Sequence, residues 1–290
     1  MGSLLMAENM NRTNHYKLFR RIFTFFLYSG LILLAAMTLF PLLWALSTSL
    51  KSYEEVLSRP YQLFPGKFIV SNYIRIFQTM PFLTYFLNTV KVASVTCLGT
   101  IVTSAMAAYA FARLKFPGRD AVFLIYLSTL MIPRQVVLIP NFIIMRSLNL
   151  LDTHWSLILT GIFTAYGTFL LRQFFLTIPN ELEEAAIIDG YGYFRRFTHI
   201  IIPLSQPALV TLLIITLLNI WNEFLYALVF INSDSKRTLT LGLAILRGDF
   251  DIQWNLVMAA TLVSILPLVL LFLGAQRFFI EGIALSGVKG

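Results

Sequence analysis

The chain has 290 residues, 58% of them hydrophobic and only 12% charged, with a net charge of +8. A soluble domain carries about 25% charged residues, so this composition excludes one and points to a bilayer as solvent. The basic residues are spread among loops, which argues against a nucleic-acid-binding tail, and the single cysteine, Cys97, excludes intrachain disulfides and cysteine metal clusters.

Six apolar stretches, 22–46, 86–111, 121–144, 155–177, 207–231 and 256–279, are each long enough to span. The expected fold is therefore all-α and polytopic, with about six transmembrane helices. A basic tail, residues 1–21, carries Arg12, Lys17, Arg20 and Arg21 ahead of the first stretch. That stretch is too long for a signal-peptide core, and no small-residue cleavage site follows it. It reads as a retained first span. The aromatic, proline-containing loop 50–82 reads as an external cap or interfacial helix.

The second stretch is rich in small residues, from Ala93 and Ser94 to Ala107 and Ala108, which let helix backbones approach closely in lipid. It is expected inside a bundle. The loop after it, RLKFPGRD (113–120), is short and basic. With the N-terminus inside, the inner segments hold Arg113, Lys115, Arg119, Arg172, Arg195, Arg196, Arg277 and Lys289. The outer ones hold fewer basic residues, among them Lys51, Arg59, Lys236, Arg237 and Arg247. The bias places both termini, and the tail 280–290, in the cytoplasm. Arg134 and Gln135 follow Pro133 in the third stretch, where a structural or gate-region role beside a helix break is expected.

Between the fourth and fifth stretches lies a charged loop, 179–206, containing NELEEAAIIDGYGYFRRFTHIIIP. Asn180 is placed to cap a helix, Glu183 stands where a capping-box acid belongs, and Glu181 and Glu184 suit the first turn of a helix dipole. Gly190 is placed to end that helix in the left-handed conformation. A second short helix follows from Tyr193 and is expected to stop at Pro203. A helix this short must dock against something. On chemistry alone, a simple link between spans and a partner-docking site weigh equally.

The fifth stretch holds Asn219, Asn222, Glu223 and Tyr226 at i, i+3, i+4 and i+7, one face of a continuous helix. Polar groups at membrane depth line a cavity or glue helices together, and both readings stay open here. No GxxxxGK[ST] phosphate loop, HExxH or GxSxG occurs. His15, His154 and His199 lie apart, and His199 reads as a satisfied loop histidine.

The loop resembles the EAA motif of bacterial ABC-importer permeases. Glu184, Ala185 and Ala186 are followed by Gly190 at the family's interval, then by Ile200, Ile202 and Pro203, with isoleucine where the family usually has leucine. AAYAFARLKFPGRD (107–120), MIPRQVVLIPNF (131–142) and NIWNEFLYAL (219–228) are similar to segments of the carbohydrate-uptake branch. The ending SGVKG (286–290) is similar to the tail of the smaller maltose-type subunit.

The resemblance implies the binding-protein-dependent importer permease fold, with a transmembrane domain over 22–279 and a core of about 84–279. It also implies a cytoplasmic coupling helix at 180–190. Glu183, Glu184, Ala185, Ala186, Asp189, Gly190, Ile200 and Pro203 would form the coupling element, with Glu184 foremost in pairing with basic groups of an ATPase subunit. The implied partners are a second permease, two ATP-binding cassette subunits that hold ATP and magnesium, an extracytoplasmic solute-binding protein and a sugar. The chain itself would be no enzyme and would hold no cofactor. The rivals are an ion-driven secondary transporter or channel using Glu223, and an ABC permease for a non-sugar solute.

Overall fold

The structure is a computed structural model, and it describes residues 2–246 and 252–287. Arg247, Lys289 and the last three residues of the SGVKG ending lie outside the described residues. Among the described residues the regular structure is all helical. In chain order the helices are α1 (Gly2–Ser49), α2 (Tyr53–Ser58), α3 (Asn72–Thr79), α4 (Phe82–Arg113), α5 (Arg119–Ser128), α6 (Leu138–Ser147), α7 (His154–Ile162) and α8 (Ala165–Thr177). They continue with α9 (Asn180–Ile188), α10 (Tyr193–Arg196), α11 (Ile202–Leu204), α12 (Gln206–Trp221), α13 (Leu225–Phe230), α14 (Leu239–Leu246) and α15 (Trp254–Gly287).

Among the described residues, four segments are long and apolar enough to cross a membrane: Arg20–Ser49, Phe82–Arg113, His154–Thr177 and Trp254–Gly274. The pair Tyr193–Leu204 and Gln206–Trp221, bent by 78°, makes a fifth if taken as one span. The stretch 121–144, expected to be one span, is interrupted. Helix α5 gives way to a 3-10 turn, Thr129–Met131, and the chain leaves helical geometry at Ile132 before α6 begins. Pro133 is the physical reason, since a residue before proline is pushed toward extended backbone, and Ile132 has ψ 116°.

The chain divides into two compact units. The first runs to Tyr73 and takes in Trp254–Ala259. Here α1 is exposed along its apolar length, as expected of a helix facing lipid. The carbonyl of its last residue, Ser49, which has no intrahelical partner, is met by the buried Asn72, whose Nδ2 donates to it (2.8 Å) and to the carbonyl of Lys51 just beyond the helix (2.9 Å). The Lys51 ammonium donates to the Gln62 carbonyl and lies 5.6 Å from the centre of the Trp44 ring. Of the stretch 50–82, residues 50–71 thus form a folded turn containing the short helix α2, and α3 follows.

The second unit is built around α4, which packs against α7, α8, α12 and α14. Its small residues admit these neighbours. A Cβ added at Gly161 would come within 2.7 Å of Thr96, and one at Gly167 within 2.6 Å of the Ser104 hydroxyl. Helices α7 and α8 break at Phe163, and α4 absorbs the break. The Thr100 and Thr103 hydroxyls donate to the carbonyls of Gly161 (3.2 Å) and Ile162 (2.9 Å), which would otherwise be left unpaired. Ala105, Ala108, Leu171, Phe175, Ile201 and Leu212 form one apolar core of the unit.

Candidate functional site: the docking loop and a polar cluster at two helix breaks

Helix α9 ends as its sequence predicts. Gly190 has φ +80°, its N–H bonds to the Ile187 carbonyl (3.0 Å), and the Tyr191 N–H reaches back to Ala186 (2.8 Å). This is a Schellman closure, and the positive φ is what calls for glycine.

The start of α9 differs from expectation. Asn180 makes no cap; it is the first helical residue, and its side-chain oxygen accepts from Arg113. Glu183 makes no capping box either, because it is buried and turned into the protein. Its Oε1 stands 3.1 Å from Arg113 Nε, an ion pair without hydrogen-bond angles. Its Oε2 lies 3.5 Å from Arg196 and accepts from the Tyr109 hydroxyl at 3.1 Å. Long-range charges outcompeted a local backbone bond. Tyr109 and Arg113 were missed as site residues, although their i, i+4 spacing at the polar end of a small-residue helix was the available signal.

Burial sorts the remaining loop residues. Ala186 lies under α9 with Glu183, while Glu184, Ala185, Asp189 and Gly190 are exposed. Leu182, Ile187 and Ile188 join that outer face, Ile188 at 87% exposure. Ile200 is half-buried and Pro203 exposed. Pro203 does not stop the second helix. The chain instead widens into a π-turn over Phe197–Ile201 and continues through Leu204. Proline has no N–H and its ring crowds the carbonyl four residues back; a π-turn, in which the Ile202 N–H bonds to Phe197 O, accommodates it. The His199 ring is held by the Thr198 hydroxyl (2.8 Å) and the Arg195 carbonyl (3.2 Å).

The polar stripe of the fifth stretch is not one helical face. Helix α12 stops at Trp221, and residues 222–224 interrupt the helix before α13. Asn219 and Asn222 are exposed, and Asn222 donates to Leu218 in its own helix (2.8 Å). Glu223 lies inside the break, where Oε1 accepts the Tyr226 N–H (3.1 Å) and caps α13. Its Oε2 is 3.3 Å from Arg134, beside the other break. Tyr226 is buried between them. Its hydroxyl donates to the Arg134 carbonyl (3.1 Å) and accepts from Asn141 (3.2 Å), and the guanidinium lies 5.2 Å from its ring centre. Asn141 was not singled out from the sequence. Arg134, Glu223 and Tyr226, with Thr160 and Thr238, border a small pocket.

An exposed, acid-and-apolar loop helix thus lies on an all-helical bundle, and similarity of sequence decides the family. Residues 100–284 match the family described as the inner membrane component of binding-protein-dependent transport systems. This chain belongs to that family. A probable ABC transporter permease, YurM of Bacillus subtilis, is 36% identical over 269 residues, covering 91% of this chain and 87% of the relative. An arabinooligosaccharide transport permease, AraQ of Halalkalibacterium halodurans, is 35% identical, covering 93% and 98%. Among solved structures, a bacterial ABC transporter that imports the acidic polysaccharide alginate superposes with a TM-score of 0.79 at 24% identity, over 89% of this chain and 97% of that one. The last likeness shows a shared fold.

Proposed function

We propose that this chain is the transmembrane permease subunit of an ATP-driven importer for a sugar or oligosaccharide. Family membership over residues 100–284 and the carbohydrate named for AraQ support the class. In this reading both termini and the loop 179–206 face the cytoplasm. Helix α9 docks on a separate ATP-binding subunit that holds ATP and magnesium. A second permease completes the path, and an extracytoplasmic binding protein delivers cargo.

The observation that carries the docking assignment is the outer face of α9. Glu184, Asp189, Ile187 and Ile188 are exposed together on a helix too short to stand alone. An acidic, apolar ridge suits a cleft with basic walls. The polar cluster at the two breaks supplies the path, because discontinuous membrane helices place polar groups where solute crosses. Glu223 and Tyr226 offer a hydrogen-bond acceptor and a ring of the kind sugars use, while Asn219 and Asn222 flank them. The ion pair with Arg134 gives Glu223 a fixed partner, which disfavours its use as the cation site of an ion-driven carrier.

The test is co-purification of the tagged chain with its partner permease and ATPase subunits, followed by uptake into proteoliposomes of arabinotriose and maltotriose. Glu184→Lys and Ile188→Asp are expected to release the ATPase subunit. Uptake by the purified chain alone, driven by an ion gradient without ATP, would overturn the reading.

A further inference from the structure

We infer that Glu183 is a positioning residue that rivets the docking helix to α4, so that α9 and α4 move as one body when the ATPase subunits close. The inference rests on the docking role proposed for α9, but it removes Glu183 from the docking surface.

Helix α9 buries two residues against the protein, Glu183 and Ala186, and its first residue, Asn180, accepts from Arg113, while its other side chains are exposed. A nine-residue helix held only by an alanine methyl and one amide oxygen at its first residue would roll or slide under load. The Glu183 carboxylate prevents this by dividing its oxygens. One meets Arg113, and the other meets Tyr109 and Arg196. Tyr109 and Arg113 are one turn apart at the end of α4. Arg113 also donates to the Phe175 and Ile178 carbonyls, each at 2.6 Å, closing the last turn of α8. Arg196 ties in α10 on the far side of the Gly190 bend. One buried carboxylate therefore joins α9, α4 and α10, and reaches α8 through Arg113.

The geometry also sets the direction of transmission. A push on Ile188 or Glu184 reaches the rivet within about one and a half turns and enters α4 at its last residues. The 32-residue helix α4 then carries it about 48 Å to Phe82 at 1.5 Å per residue. The cluster holds one carboxylate against two guanidinium groups, so either arginine alone can balance Glu183. Arg113→Gln thus cuts the ion pair to α4 and leaves Glu183 balanced by Arg196.

The experiment measures spin-label distances between Glu181→Cys and Leu98→Cys, in a Cys97→Ala background, in the assembled importer without nucleotide and trapped with ATP and vanadate. The wild-type distance is expected to hold within about 2 Å between the two states, while Glu183→Gln lets it shift by about 5 Å or more, the scale of a helix slipping one turn. Overturning results are a wild-type distance that itself changes with nucleotide, or a Glu183→Gln distance that stays fixed. If Glu183→Gln loses the ATPase subunit while the permease pair stays folded, Glu183 is a docking contact and the inference falls. If that variant does not fold, Arg113→Gln, which cuts the ion pair to α4, carries the same measurement with the same two outcomes. Failure of the docking reading is seen separately, as Glu184→Lys and Ile188→Asp complexes that remain intact.

Discussion

The Arg134 guanidinium stands 3.3 Å from the Glu223 carboxylate, and each residue sits where a span expected from hydropathy is interrupted. Pro133 opens one gap and residues 222–224 the other, so two broken helices are tied at their breaks. Tyr226 reinforces the tie by bonding to the Arg134 carbonyl and to Asn141.

The Arg134 side chain is 53% exposed, and a pair that open to solvent contributes about 1 kcal/mol or less. Glu223→Gln keeps an acceptor for the Tyr226 N–H and is expected to leave thermal unfolding of the purified importer nearly unchanged. Uptake is expected to fall about tenfold or more, since a lost hydrogen bond to a charged group is worth about 1.5–3 kcal/mol. Paired melting and uptake measurements on Glu223→Gln and Arg134→Gln check this. Normal uptake in both would leave the cluster as a staple between helices.

Close packing around α4 makes a second expectation. A Cβ at Gly167 would meet Ser104 at 2.6 Å, Thr164 at 2.8 Å and Leu212 at 3.0 Å, whereas one at Gly274 would meet nothing within 4 Å. Gly167→Ala is expected to destabilise the bundle by about 1–3 kcal/mol through overpacking, and Gly274→Ala to change little. Tryptophan fluorescence melts in detergent distinguish the two.

Much of the bundle was legible because its signals are compositional. The apolar runs gave the first, second, fourth and last crossings, and the small residues of 93–108 marked α4 as the packed helix. Gly190 was legible because its signal is local: an αL closure depends only on the residues around it. A break beside Pro133 was expected, though 121–144 was still counted as one span; the break at 222–224 was not read, since a count of apolar residues averages across it without seeing the backbone turn. Asn180 and Glu183 were misread for a different reason. Capping rules describe an isolated helix, and here Arg113, 70 residues earlier in the chain, supplies a stronger partner than any nearby N–H.

The loop between α6 and α7 makes the last prediction, on pH. Asp152 has φ 54°, and its carboxylate accepts from the Ser233 hydroxyl, the backbone N–H groups of Ser233 (2.8 Å) and Asn232 (3.0 Å), and the Lys236 ammonium (3.1 Å). The Ser233 hydroxyl, then these backbone and lysine donors, hold the carboxyl well below the usual carboxylate range. A depressed folded pKa gives stability that is present above the unfolded value, about 3.9, and is lost as pH falls below it. Asparagine tolerates the left-handed conformation, so Asp152→Asn changes the charge without straining the backbone. The variant is expected to be about 1–2 kcal/mol less stable at neutral pH and to lose less than wild type between pH 5 and pH 3. Melts of both proteins across that window check the sign: curves that converge toward low pH assign the acid limb to Asp152, and parallel curves assign it to other carboxylates.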